Sequence, residues 1–234
     1  MEYFMKEKIK QLMLEAIEYP RPQAIKPHLL PVWNQPFFYK IDQAQALTIS
    51  YNPTDKGAKT NYPHLIEEYK NNGYIEPNMI YDTLYNFKKE EYWRKNYDII
   101  FNELGIDLSN IAHMDVSFFP YSTLDLCKTY SFLDHSKKYL LDCIDLLKEQ
   151  LKFILIDGKR NKEILYLLCN DYTLHCSTNL PVNSSNRTFE LSIFKHKTHN
   201  TYLIYYGCFL YGATTPKKEC VLDIARFIKD NIEK

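Results

Sequence analysis

The chain has 234 residues, 45% of them hydrophobic and 25% charged, a balance near the globular average that excludes a disordered, collagen-like or coiled-coil chain and fits one large domain or one domain with an appendage. Lys plus Arg and Asp plus Glu each number 29, so the formal net charge is zero; a uniformly basic nucleic-acid binder is excluded and any basic footprint must be local. No apolar run reaches the roughly 18 residues of a membrane-spanning helix, and Met1-Glu2-Tyr3-Phe4-Met5-Lys6 lacks the regions of a signal peptide, so a cytoplasmic protein without membrane contact is expected, its six cysteines (Cys127, Cys143, Cys169, Cys176, Cys208, Cys220) reduced thiols.

Phe4, Ile9, Leu12, Met13 and Ala16 recur at helical spacing and predict a helix over 3–19, which must stop before Pro20. Pro20, Pro22, Pro27, Pro31 and Pro36 then crowd one extended connection. This helix and connection, 1–36, are read as an extension of a domain covering 37–234. Ala46 to Tyr51 is a short, mostly apolar run broken by Asn52-Pro53-Thr54-Asp55-Lys56-Gly57, a strand leaving into a loop. Helical pieces fill the stretch from about Pro63 to Leu104, closed by Gly105 as a cap.

Ile111 to Phe119 alternates and ends at Pro120, predicting a second strand, and Leu133 to Lys152 is the clearest amphipathic helix. Phe153-Ile154-Leu155-Ile156 is apolar at every position, as in a central parallel strand covered on both faces. Asp157 to Asn161 turns into a helix over Lys162 to Cys169, and Asp171 to Arg187 reads as a loop. Phe189 to Lys195 and Thr201 to Gly207 form a hairpin about the turn His196 to Asn200. Thr215 caps the last helix with Pro216 at its first position. Strands alternating with helices imply a mainly parallel sheet, and the expected architecture is a three-layer α/β/α sandwich with an N-terminal helical extension.

Ligands of open α/β sheets bind beyond the carboxyl ends of the strands. Basic residues collect there: Lys56 and Lys59 after the first strand, Lys159, Arg160 and Lys162 after the third, Lys217 and Lys218 at the start of the last helix. Lys159, Arg160, Lys217 and Lys218 are the candidate phosphate contacts, against the plain reading that loop lysines are solvated. The 20 tyrosines and 13 phenylalanines fit either A/T-rich coding or stacking on bases. Walker A, G-x-G-x-x-G and H-E-x-x-H sequences are absent. Cys169, His175 and Cys176 lack a second pair at zinc-finger distance, so no metal or other cofactor is expected.

Three stretches together resemble the uracil-DNA glycosylase superfamily, in a divergent branch: Leu47-Thr48-Ile49-Ser50-Tyr51-Asn52-Pro53-Thr54, Ala112-His113-Met114-Asp115-Val116-Ser117-Phe118-Phe119-Pro120, and Leu151 to Gly158. Their order and separations fit over residues 46–170. The resemblance implies the three-layer sandwich and a DNA base N-glycosylase, a hydrolase that flips a damaged or deaminated base out of DNA and cleaves its N-glycosidic bond. It implies that Asn52 holds the attacking water and that Asp115 contacts the base. Tyr62, Tyr51 and His113 would line the base pocket, and single- or double-stranded DNA would be the partner.

Two departures stand out. An ionised carboxylate only accepts hydrogen bonds, so Asp115 suits an exocyclic amine better than the carbonyl that the superfamily's Asn reads. The loop after the last strand, Tyr206 to Thr214, has no histidine where the superfamily carries a His-Pro-Ser-like donor to the departing anion. Two alternatives stay open: a non-catalytic nucleic-acid-binding module of the same fold, and a nucleotide or nucleoside hydrolase with Gly158 and the following helix on phosphate. Asn52 also has an ordinary reading as the start of an Asn-Pro turn.

Overall fold

The computed structural model describes residues 7–8, 11–12, 15, 44–50, 71, 95–107, 110–116, 133–183, 187–210 and 216–232. It is a mixed α/β fold. In chain order the described elements are β1 (Ala46–Ser50), α1 (Lys95–Glu103), β2 (Ile111–Asp115), α2 (Leu133–Leu147), β3 (Phe153–Asp157), α3 (Lys162–Leu168), β4 (Tyr172–Pro181), β5 (Thr188–His196), β6 (Tyr202–Tyr206) and α4 (Lys218–Ile232). The strands form one six-stranded sheet in the order β2-β1-β3-β6-β5-β4. β2, β1, β3 and β6 are mutually parallel, and β5 and β4 continue the sheet antiparallel.

β3 is the central strand that its apolar run predicts. It pairs parallel with β1 on one side and β6 on the other, and all five of its residues are buried. One set of alternate residues on the sheet, including Ala46, Ile111, Phe153, Leu155, Leu191, Ile193, Ile204 and Tyr206, joins a single cluster with Tyr97, Ile100 and Phe101 of α1 and Val221, Ile224, Ala225 and Ile228 of α4. The intervening set, Leu47, Ile49, Ala112, Met114, Ile154, Ile156, Leu203 and Tyr205, is equally buried. α3 packs against β3, and Ile164, Leu165 and Leu168 are its buried residues.

Local chemistry sets the ends of the elements. α1 closes in a Schellman arrangement: the Ile106 N–H donates to the Phe101 carbonyl (2.8 Å) and the Gly105 N–H to the Asn102 carbonyl (3.0 Å). Gly105 sits at φ 71°, a left-handed conformation in which glycine meets no Cβ penalty. Its predicted role as terminator of this helix therefore holds. Glu7, Lys8, Gln11, Leu12 and Glu15 are helical and Leu12 is buried, in keeping with the amphipathic helix expected there. The boundary at 36/37 lies outside the described residues.

Four expectations are corrected. Asp171 to Arg187 is not a loop: Tyr172–Pro181 is the ten-residue edge strand β4, paired with β5. Its Thr, His, Ser and Asn residues look loop-like because they face solvent at an edge, where pairing with β5 rather than burial defines the strand. β2 stops at Asp115 and Val116 bends away, although its N–H still reaches the Ser50 carbonyl at 2.9 Å. α2 ends at Leu147, and the buried Leu151 lies beyond a turn rather than on the helix. Pro216 precedes the last helix rather than starting it; the Lys217 carbonyl accepts the Val221 N–H and so holds the capping position.

Candidate active site at the carboxyl edge of the sheet

The parallel strands end in step. Ser50 of β1 is in register with Asp115 of β2, Ile49 with Ile156 of β3, and Asp157 of β3 with Tyr206 of β6. Asp115, Ser50, Asp157 and Tyr206 therefore form one row across the end of the parallel half-sheet. From Ser50 the chain passes directly into Tyr51-Asn52. Of the candidate residues, Asn52, Tyr51 and Tyr62 lie outside the described residues. For His113 and Asp115 the description covers the backbone, which puts Asp115 in this row and His113 two residues back, opposite Thr48.

The middle of the row holds a buried polar cluster that the sequence reading did not single out. Asp157 is 1% exposed. One carboxylate oxygen accepts from the Tyr97 hydroxyl on α1 at 2.8 Å, and the other accepts from the Leu210 N–H at 2.7 Å. Burial raises its pKa to about 6, against the opposing pull of the bonds from Leu210 and Tyr97. The Leu210 carbonyl in turn accepts from Nδ2 of the buried Asn96 at 2.6 Å. Both backbone groups of Leu210 are thus held by side chains, one from β3 and one from α1. Asn161, also buried, donates from Nδ2 to the Asp157 carbonyl at 2.6 Å and fixes the turn that follows β3.

Gly158 sits at φ 88° and ψ 135°, a region that side chains essentially never occupy. A Cβ there would lie 2.2 Å from Cε1 of Phe209. The open side of this glycine is therefore filled by an aromatic ring of the 207–210 loop, which removes the close backbone approach a phosphate would need. Gly158 N–H donates to the Tyr206 carbonyl and Gly207 N–H to the Glu190 carbonyl, both at 2.8 Å. The loop after β6 is consequently stitched to β3, β5 and α1 together.

Lys159 and Arg160 are exposed in the 3-10 turn after β3, and Lys217 and Lys218 are exposed at the start of α4. Both pairs belong to segments that follow the carboxyl ends of parallel strands, but they lead into different helices. The Lys217 N–H donates to Asn183 Oδ1 at 2.6 Å, which ties the start of α4 to the β4–β5 connection. Lys162 is not available to a ligand in the same way. Its ammonium pairs with Glu190 at 2.7 Å and lies 5.5 Å from the centre of the Tyr205 ring. The Glu190 pKa falls because of that bond from Lys162. Away from this edge, two acidic residues of α2 are partnered, Asp142 with Lys138 and Asp145 with Lys148.

A polar depression of about 530 Å³ lies at the opposite, amino edge, lined by Gln45, Asn110, Lys152 and Asn200 among others. It contains no buried ionisable side chain, and the topology directs ligands to the other end of the strands, so we assign it no chemistry. Among the described residues no group of three or more His, Cys, Asp or Glu side chains could hold a metal ion. Among them no helix is long and apolar enough to cross a membrane. Among the described residues, Cys143, Cys169, Cys176, Cys208 and Cys220 form no disulfide. Burial pushes the pKa of the Cys143, Cys169, Cys176 and Cys208 thiols up, the opposite of an activated nucleophile. No family model matches the chain, and no curated protein matches it.

Proposed function

We propose that this protein is a cytoplasmic DNA glycosylase-like hydrolase, built as a three-layer α/β/α sandwich, that cleaves the N-glycosidic bond of a damaged or deaminated base flipped out of DNA. The observation that carries the reading is the register. The three stretches that resemble the superfamily are three adjacent parallel strands, β2, β1 and β3, whose carboxyl ends align with Ser50 beside Asp115. Asn52 follows Ser50 by two residues in sequence, which supports a pocket shared with Asp115. Burial of both alternating sets of sheet residues supports helical layers on the two faces.

In this reading Asn52 orients the attacking water, Asp115 accepts from an exocyclic amine of the base, and Tyr51, Tyr62 and His113 enclose the ring. Lys159, Arg160, Lys217 and Lys218 neutralise backbone phosphates on either side of the crevice. The runner-up is a binding module of the same fold without chemistry. It is favoured by the loop after β6, which lacks a histidine and has its Gly207 and Leu210 N–H groups engaged by Glu190 and Asp157. A phosphate-cradling nucleotide hydrolase is disfavoured by the Phe209 ring over Gly158.

A panel of oligonucleotides, each carrying one modified base and scored for alkali-labile abasic sites, tests the proposal. Release of one base class, lost in Asn52→Ala with melting temperature and DNA affinity retained, is the expected result. Salt-sensitive binding with no release from any substrate overturns catalysis in favour of the binding module. An Asn52→Ala variant that melts early and loses activity only in proportion to folded protein makes Asn52 a turn residue, worth about 1 kcal/mol.

A further inference from the structure

Asp157 is the one carboxylate in the described core with both oxygens bonded, and its partners come from far apart in the chain: Tyr97, 60 residues before it, and Leu210, 53 residues after it. A buried carboxyl group at the end of an apolar central strand costs stability unless it is bonded, so a purely structural end to β3 would be better served by an apolar residue. What this carboxylate does instead is hold a backbone amide of the loop after β6. Asn96 holds the carbonyl of the same residue, and Phe209 seats on Gly158 next door. Three independent contacts therefore converge on Phe209-Leu210.

We propose that Asp157 is a positioning residue that locks the 207–210 loop in the conformation in which the carboxyl-edge crevice receives a DNA base. The inference rests on the functional reading above, taken with the resemblance that sets the loop after the last strand beside the departing base. Asp157 acts through the loop and does not touch the substrate. Tyr97 orients the carboxylate from α1, and Asn96 prevents the Leu210 peptide from rotating away. The groups that face Asp157 are the Tyr97 hydroxyl, the Leu210 N–H and, more distantly, the Cys208 thiol and Tyr205.

The test combines amide hydrogen exchange without DNA and single-turnover kinetics on the base that the wild type releases. In Asp157→Asn the amide oxygen still accepts from Leu210 N–H while its NH2 donates to the Tyr97 oxygen, so both bonds survive with one reversed. Asp157→Ala removes both. The expected result is faster exchange at Leu210 in Asp157→Ala by about tenfold or more, with the amides of Leu155 and Ile156 unchanged, and near wild-type protection in Asp157→Asn. Base release should slow by about 100-fold in Asp157→Ala with DNA affinity retained, and recover in Asp157→Asn. Tyr97→Phe, which keeps the Leu210 bond, should fall between them in both measurements.

Unchanged exchange at Leu210 in Asp157→Ala overturns the lock. So does an equal loss of protection at Leu155, which would mark general destabilisation. Slowed release that Asp157→Asn does not recover would make the charge itself the active feature and also overturns it. If the wild type releases no base, the functional reading fails, and exchange at Leu210 alone decides whether Asp157 holds the loop.

Discussion

Two tyrosine hydroxyls at the carboxyl edge show how little the residue type says by itself. Tyr97 donates to Asp157, whereas the Tyr206 hydroxyl is buried with no hydrogen-bond partner among the described residues. A buried unsatisfied hydroxyl is a standing cost, and a bonded one contributes. Tyr206→Phe should therefore leave stability unchanged or raise it by about 1 kcal/mol, while Tyr97→Phe should lower it by about 1–3 kcal/mol, as read from urea unfolding midpoints. Asp157 itself links folding to pH. Its pKa is raised to about 6 in the folded state from an unfolded value near 4. The folded protein thus holds the proton more tightly, and the contribution is fully present below about pH 4 and lost as pH rises through 6. Up to about 3 kcal/mol is at stake. Replacing Asp157 with Asn should flatten this segment of the stability profile, and an unaltered profile between about pH 4 and 6 would contradict the assigned burial. A charge closing the apolar run Phe153-Ile154-Leu155-Ile156 was the available sign that this carboxylate needs distant partners; those partners, Tyr97 and Leu210, are not legible from local sequence.

At the scale of elements, what was legible follows burial. β1, β3, β5 and β6 carry apolar residues because they are covered, and their patterns mark them as strands. β4 carries the exposed Thr173, His175, Ser177 and Asn179 and so resembles a loop until its pairing with β5 is known. The ends of helices were legible where a single residue decides them, as with Gly105, and not where capping comes from elsewhere, as with Asn183 at the start of α4. The two left-handed glycines should respond differently to substitution. At Gly105 a Cβ meets nothing within 4 Å, so Gly105→Ala should cost only the backbone term of about 1 kcal/mol. At Gly158 the same change adds a collision with Phe209 to a more restricted backbone, and thermal melts should show a loss at least twice as large, on the order of 2–4 kcal/mol. Equal losses at the two sites would mean that Phe209 moves aside freely and that its seat on Gly158 holds nothing.

For the whole molecule, zero net charge and a basic edge are compatible because the charges are sorted. Lys159, Arg160, Lys217 and Lys218 are exposed, while Lys162, close by in sequence, is neutralised by Glu190. Under the proposed function, association with DNA should depend on the four exposed cations and weaken with salt. Each phosphate contact removed should reduce the slope of log affinity against log salt by about 0.7–0.9. Replacing all four residues with Ala and measuring affinity across a salt series checks this, and parallel slopes would remove them from the interface. The mainly parallel half of the sheet was legible from strands that alternate with helices. The alignment of the strand ends at the carboxyl edge was not, because strand register and not spacing brings Ser50 next to Asp115.

The strand order also shapes how the chain matures during synthesis. β1, β2 and β3 are complete once residue 157 has left the ribosome, but the far edge of β3 waits for β6 at Tyr202–Tyr206, and the apolar face of α1 waits for α4 at Lys218–Ile232. At about 5–20 residues per second, the 49 residues from Asp157 to Tyr206 take roughly 2–10 s. Until β6 emerges the nascent chain carries an uncovered strand edge, and until Leu210 follows it the carboxyl group of Asp157 lacks that partner. Ribosome-stalled chains ending near Asn200 should thus engage chaperones and be cut readily by proteases, whereas chains that expose α4 outside the tunnel should resist both.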